Sequence, residues 1–189
     1  MPKNWSKEIQ IPTNNEYVVR CIEETFAPSS KGNPMITLKF EIVSPQTVTA
    51  LDGEEVNVAG LKMPYYANVA IFENGELNAE KTAQARTYTF KSEDKDRPAL
   101  YEIAEIEVTP EQYDNPPLGF KGKCFAARVK PDPQVVHDSP TAADLKAGKR
   151  EGKVSINPRT KKPMQTFYPK IETLYCVVSA PGSGSPFGN

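Results

Sequence analysis

The sequence predicts a mainly β fold of five strands carrying a partly helical insertion, and three observations predict it. Apolar and polar residues alternate with period two along 35–43, the mark of a strand with one buried face. Eighteen prolines fall at turn-like positions, which divides the chain into many short elements and argues against a helical bundle. With 189 residues, 38% of them hydrophobic and 25% charged, the chain is long enough and apolar enough for one folded domain with a full core.

Each element follows in order. A β-rich run covers 17–24, and the alternating strand covers 35–45, where Ile36, Leu38, Phe40 and Ile42 are interleaved with Thr37, Lys39 and Glu41. Between them Pro28-Ser29-Ser30-Lys31-Gly32-Asn33-Pro34 supplies a turn: Gly32 tolerates positive φ and Pro34 holds Asn33 out of the helical region, so the two runs form a hairpin. The third strand is expected within 56–72, with Val56, Val58, Val69 and Ile71 apolar and Gly60 marking a bulge. Residues 78–115 read as a partly helical insertion, acidic on its exposed side. Asn78 can cap a helix, Leu100, Ile103 and Ala104 have helical spacing after Pro98, and Thr109-Pro110-Glu111-Gln112 resembles a capping box. Arg86-Thr87-Tyr88-Thr89-Phe90 is as strand-like as it is helical.

After Pro116-Pro117 the period of two returns over 122–130, with Phe125, Ala127 and Val129 on one face and Arg128 and Lys130 on the other. The last strand is 166–178. Residues 131–165 between them form a long, proline-bearing, basic loop with a local hairpin turning at Asn157-Pro158-Arg159-Thr160. The chain thus reads as one domain over 1–179 and a flexible Gly/Ser/Pro tail over 180–189. Five strands with a helical segment between the third and fourth suit a Greek-key barrel of the OB type. A β-sandwich is the alternative.

Charge points to a partner. Residues 1–118 hold 11 Lys/Arg against 19 Asp/Glu, whereas 119–189 hold 12 against 5, so a net charge of -1 conceals two opposed halves. Most of the positive excess lies in Lys146, Lys149, Arg150, Lys153, Arg159, Lys161 and Lys162, among which Glu151 is the sole acid. Such an asymmetry suggests a polyanion on one face. Catalysis is not expected. Cys21, Cys124 and Cys176 are far apart, form no CxxC, and read as small core residues. His137, the only histidine, has no neighbouring cysteine and the sequence shows no nucleophile motif, which argues against Ser/His and Cys/His chemistry, and the spacing of Asp132, Asp138 and Asp144 matches no metal-site pattern. Neither a cofactor nor a metal is called for. No run has the length of a membrane span and the N-terminus has no apolar signal core, which predicts a cytoplasmic protein with no membrane partner.

Several segments together resemble bacteriophage single-stranded DNA-binding proteins with an OB fold. Glu16-Tyr17-Val18-Val19-Arg20 followed by 30–43 is similar to the family's opening hairpin, with its Ser-Lys-Gly-Asn turn and a strand ending in Glu-Ile. Gly119-Phe120-Lys121-Gly122-Lys123-Cys124-Phe125 resembles the start of its fourth strand. Asn157-Pro158-Arg159-Thr160-Lys161-Lys162-Pro163 through Tyr168-Pro169-Lys170-Ile171 resembles its basic hairpin and closing strand. About half the chain is covered, and the 78–115 insertion is not. Lys161 stands where the family's turn would have glycine, and the tail lacks the acidic cluster through which many single-strand binders recruit replication enzymes. The resemblance implies a host-cytoplasmic, non-catalytic binder of single-stranded DNA in phage replication or recombination, with the proteins of those processes as further partners.

Sequence-independent binding of this kind needs cations along the phosphates and aromatic faces for the bases. The candidate phosphate contacts are Lys31, Arg128, Lys130, Lys149, Arg150, Lys153, Arg159, Lys161, Lys162 and Lys170; the candidate stacking residues are Tyr65, Tyr66 and Tyr168. At most one of Tyr65 and Tyr66 should face a ligand. Tyr168 shares its strand face with Lys170, opposite to Phe167. Trp5 is either a base platform or, more simply, an anchor for the N-terminal arm. A structural or protein-interaction protein that uses the basic loop without touching nucleic acid is the competing reading.

Overall fold

The computed structural model describes residues 1–13 and 16–181. The expected tail lies outside the described residues from position 182 onward. Strands are β1 (Lys3–Asn4), β2 (Glu16–Pro28), β3 (Pro34–Ser44), β4 (Thr47–Thr49), β5 (Glu55–Asn57), β6 (Lys62–Asn68), β7 (Phe72–Glu73), β8 (Glu76–Leu77), β9 (Cys124–Val135) and β10 (Gln165–Val178). Helices are α1 (Ala79–Thr89), α2 (Leu100–Ile103) and α3 (Ala142–Lys146), with a 3-10 turn at Pro110–Gln112.

Five long strands form one antiparallel sheet in the order β10-β9-β2-β3-β6. β2 and β3 make the predicted hairpin, with Gly32 at φ 80 in its turn. Their alternation does what period two demands: Ile36, Leu38, Phe40 and Ile42 are fully buried, while Thr37, Lys39 and Glu41 face outward. Register shifts at Val18/Val19 and Cys21/Glu23 bend β2, and the sheet curls around a core that includes Val19, Cys21, Phe40, Met63, Phe125, Val129, Ile171 and Leu174.

The curl does not end in a closed barrel. The edge strands β6 and β10 share no ladder, although both line one groove. Pro64 on β6 and Pro169 on β10 stand at this seam and have no N–H to donate to a closing ladder. The N-terminal arm also occupies part of the β10 edge, where the Phe167 N–H donates to the Lys7 carbonyl at 2.6 Å.

The single third strand expected over 56–72 is in fact three pieces. Gly60, at φ 79, is a turn rather than a bulge, and it separates β5 from β6. β5 lies in a small sheet of order β1-β5-β4, and Val56 and Val58 join the core from there. The fourth strand does not stop at Lys130 but runs to Val135, paired with β10 from Val135↔Gln165 to Cys124↔Val178. β2 accompanies β9 only from Arg20↔Cys124 to Glu16↔Arg128. Among the described residues the second edge of β9 has no ladder partner beyond Arg128, so Pro131 and Pro133 cost no ladder bond on that side. The result is a two-stranded ribbon projecting from the sheet.

Between β6 and β9 the chain forms α1, α2 and the 3-10 turn. The Asn78 side chain accepts from the Lys81 N–H at 3.0 Å and caps α1, so Arg86–Thr89 are helical. The carboxylate of Glu102 accepts from the Ala99 N–H at 2.8 Å at the start of α2, and Gln112 Oε1 accepts from the Thr109 N–H at 2.9 Å. An aromatic cluster fastens these helices to the sheet. Phe90 stacks on Tyr113 at 4.2 Å, Tyr101 meets Phe120 edge-on at 5.1 Å, and the Tyr101 hydroxyl donates to Pro117. Cys21 and Cys124 are buried as expected, whereas Cys176 is exposed on β10. No helix among the described residues is long and apolar enough to cross a membrane.

Candidate nucleic-acid interface

The seam between β6 and the β9–β10 ribbon is a groove of about 750 Å³. Its walls derive from strand periodicity. On β6, Lys62, Pro64, Tyr66 and Asn68 point away from the core while Met63 and Ala67 point into it. On β10, Tyr168, Lys170 and Glu172 are exposed while Pro169 and Ile171 are buried. The groove therefore brings together Lys62 and Tyr66 from one edge, Tyr168 and Lys170 from the other, and Asp132 and Gln134 from the neighbouring strand. Lys62 was not singled out in the sequence, although its period-two relation to Tyr66 carries the signal.

Of the tyrosine pair, Tyr66 is 60% exposed and Tyr65 is half-buried. Tyr65 sets its ring edge-on to Phe40 at 6.2 Å, and burial pushes its phenol pKa up. It forms a wall of the groove rather than a free platform. Tyr168 is 47% exposed, and its ring lies 6.4 Å from that of Trp5. Trp5 is half-buried and donates its indole N–H to the Ile9 carbonyl at 3.2 Å, which folds the N-terminal arm back onto β10. The arm thus has the anchor expected of Trp5, and the same ring supports Tyr168 from the side.

Arg128 and Lys130 stand on the outward face of β9, but both meet a resident carboxylate. Arg128 Nε is 3.0 Å and Lys130 Nζ is 3.6 Å from Glu172. Lys130 is the cross-strand neighbour of Lys170, so Glu172 relieves a like-charge pairing on that face. Asp132, directly opposite Tyr168, accepts from the Gln134 side-chain amide at 2.9 Å. The ribbon therefore presents both signs of charge next to the groove.

The remaining cations are carried on the far end of the ribbon. Bridges His137↔Val154 and Ile156↔Pro163 continue it as a hairpin. Asn157 turns the chain: its side-chain oxygen accepts from the Arg159 N–H at 2.8 Å, and its carbonyl accepts from the Lys161 N–H, also at 2.8 Å. Lys161 has φ 58, the left-handed conformation for which glycine is usual. Arg159, Lys161 and Lys162 are thereby displayed, all exposed, around one tight turn. Lys149 and Arg150 line a second hollow with His137 and Glu151, and Lys153 is exposed beside it. Within this region α3 is capped reciprocally, Thr141 Oγ1 accepting from the Asp144 N–H at 3.2 Å and Asp144 Oδ2 accepting from the Thr141 N–H at 3.0 Å. The bonds that Asp144 Oδ2 accepts from the Thr141 N–H and hydroxyl hold its carboxyl below the ordinary pKa.

Lys31 stands apart from both groups, at the tip of the β2–β3 hairpin and outside the groove lining. Among the described residues no group of three His, Cys, Asp or Glu side chains is placed to hold a metal. No family model matches the chain, and comparison with curated proteins and with solved structures also finds no match.

Proposed function

We propose that this chain binds single-stranded DNA without sequence preference, and coats and protects it during phage DNA replication or recombination. One observation carries the reading: an open seam in which two exposed tyrosines and two lysines face one another, continued by a ribbon whose end displays the basic hairpin. Tyr66 and Tyr168 offer ring faces to bases, which every base can use, so the contact is indifferent to sequence. Lys62 and Lys170 flank them where phosphates would run, and Arg159, Lys161 and Lys162 extend the cationic path. A volume of about 750 Å³ suits a few unpaired nucleotides.

The strand order supports the finer reading of the fold as an OB-type Greek-key barrel left open between its third and fifth main strands, with α1 and α2 filling the stretch between the third and fourth. No nucleophile or general base is assigned, because binding by stacking and charge requires neither.

Titration of fluorescent oligo(dT) at low salt, repeated across a salt series, tests this. Binding that weakens steeply with salt and exceeds duplex affinity is expected. A Lys161→Glu/Lys162→Glu variant should show a shallower salt slope. Unmeasurable binding at low salt, or a preference for duplex, overturns the proposal.

A further inference from the structure

We infer that the exposed face of α1 is a second base-binding subsite, with Tyr88 as its stacking platform, and that a strand lying in the groove continues onto it. The inference rests on the single-stranded DNA reading and adds to it the side of the molecule over which the strand leaves.

Lys81, Gln84, Ala85 and Tyr88 have spacings of three, one and three, which places them along one face of α1. That face borders the end of β6, and the two enclose a shallow hollow of about 450 Å³ floored by Ala67, Asn68 and Ile71. Tyr66 lines both this hollow and the groove, so the two spaces adjoin across one ring. Tyr88 is 61% exposed and, among the described residues, makes no ring contact with another aromatic, unlike Phe90 and Tyr101 in the cluster beneath. Ala85, one turn before it, leaves space above the helix.

The chemistry of the lining favours a base over a phosphate. Among the described residues no carboxylate lines the hollow, and the one cation that does, Lys81, is already paired with Glu73. Gln84 and Asn68 contribute amides, which both donate and accept and so serve any base edge. A contrasting space on the other side of Tyr88, lined by Tyr65, Tyr175 and Arg97, also carries Asp96 and Glu172, whose charge would oppose the backbone. The strand is therefore directed over α1 and not toward α2.

Oligo length separates this subsite from the groove. With roughly 4-nucleotide oligo(dT), enough for the groove alone, the wild type and Tyr88→Ala should bind equally; with roughly 12 nucleotides the wild type should gain about tenfold over the variant. Tyr88→Phe keeps the ring and should restore the gain, and circular dichroism confirms that each variant is folded. Equal affinity of wild type and Tyr88→Ala for the longer oligomer overturns the subsite and leaves the groove standing. Loss of affinity for the short oligomer in Tyr88→Ala overturns the division into two subsites. Failure of the wild type to bind either length overturns both proposals.

Discussion

The ring of Trp5 lies 6.4 Å from that of Tyr168, at an interplanar angle of 55°. The chain has no other tryptophan, so this pairing makes Trp5 an intrinsic reporter on the groove. Oligo(dT) addition should quench or shift Trp5 emission, and the change should vanish in Tyr168→Ala. That variant should also lose about 1–3 kcal/mol of binding, the worth of one stacked base. Binding that leaves the emission unaltered would locate the DNA elsewhere.

Glu172 lies between Arg128 and Lys130, 3.0 Å from the one and 3.6 Å from the other. Glu172→Gln should remove a negative charge from beside both cations. Affinity at low salt should rise, and the slope of log K against log salt should steepen by about 0.7 for each phosphate newly contacted. An unchanged slope would show that the outer face of β9 lies off the path.

Glu24 ties the start of β9 to the opening hairpin. Its carboxylate accepts from the N–H groups of Gly119 at 3.0 Å, Phe120 at 2.7 Å and Lys121 at 3.3 Å. Glu24→Ala strands these donors, one of them on the fully buried Phe120, and should destabilise the fold by about 2–3 kcal/mol in urea unfolding. Glu24→Gln retains an acceptor and should lose less.

Gly152 admits no side chain. A Cβ there would lie 2.6 Å from the carbonyl oxygens of Asp138 and Ser139, which are backbone atoms unable to swing aside. Gly152→Ala should loosen the basic hairpin without unfolding the sheet. Hydrogen exchange is the measurement: the Asp138 and Ser155 amides, bonded to Lys153 and Val136, should lose protection while β2 and β3 keep theirs.

Burial raises the pKa of Tyr17 to about 12 from a model-compound 10.0, and that of Cys21 to about 12 from 9.0, with the Glu24 charge adding to the latter. Burial raises Tyr101 as well. Folded values above unfolded ones mean that the neutral forms stabilise the fold fully below the unfolded values, and that this contribution is lost as pH rises through the folded ones. Urea midpoints should therefore fall between about pH 9 and 12, and fall less in Tyr17→Phe. A flat alkaline profile would contradict the burial of these groups.

The opening hairpin was legible because a period of two and a glycine turn are local signals, readable at Ile36, Leu38, Phe40 and Gly32 without knowledge of neighbours. The projecting ribbon was not, because Pro131 and Pro133 break a strand that is paired on both edges and are tolerated only where one edge is free. Which of Tyr65 and Tyr66 is exposed was equally undecided, since adjacent residues on a strand always face opposite ways and the core side depends on what packs there. Cys176, in a β-rich run, looked internal and is exposed on β10.

Local order of preference along the chain determined the hairpins, the caps at Asn78 and Thr109, and the concentration of positive charge in the second half, because each depends on residues within a few positions of one another. The open seam, the placing of Tyr66 and Tyr168 in one groove, and the pairing of Arg128 and Lys130 with Glu172 were decided only in three dimensions. They depend on how far the sheet curls and on whether its two edge strands can hydrogen-bond, and there Pro64 and Pro169 offer no N–H while an N-terminal arm distant in sequence covers part of the β10 edge.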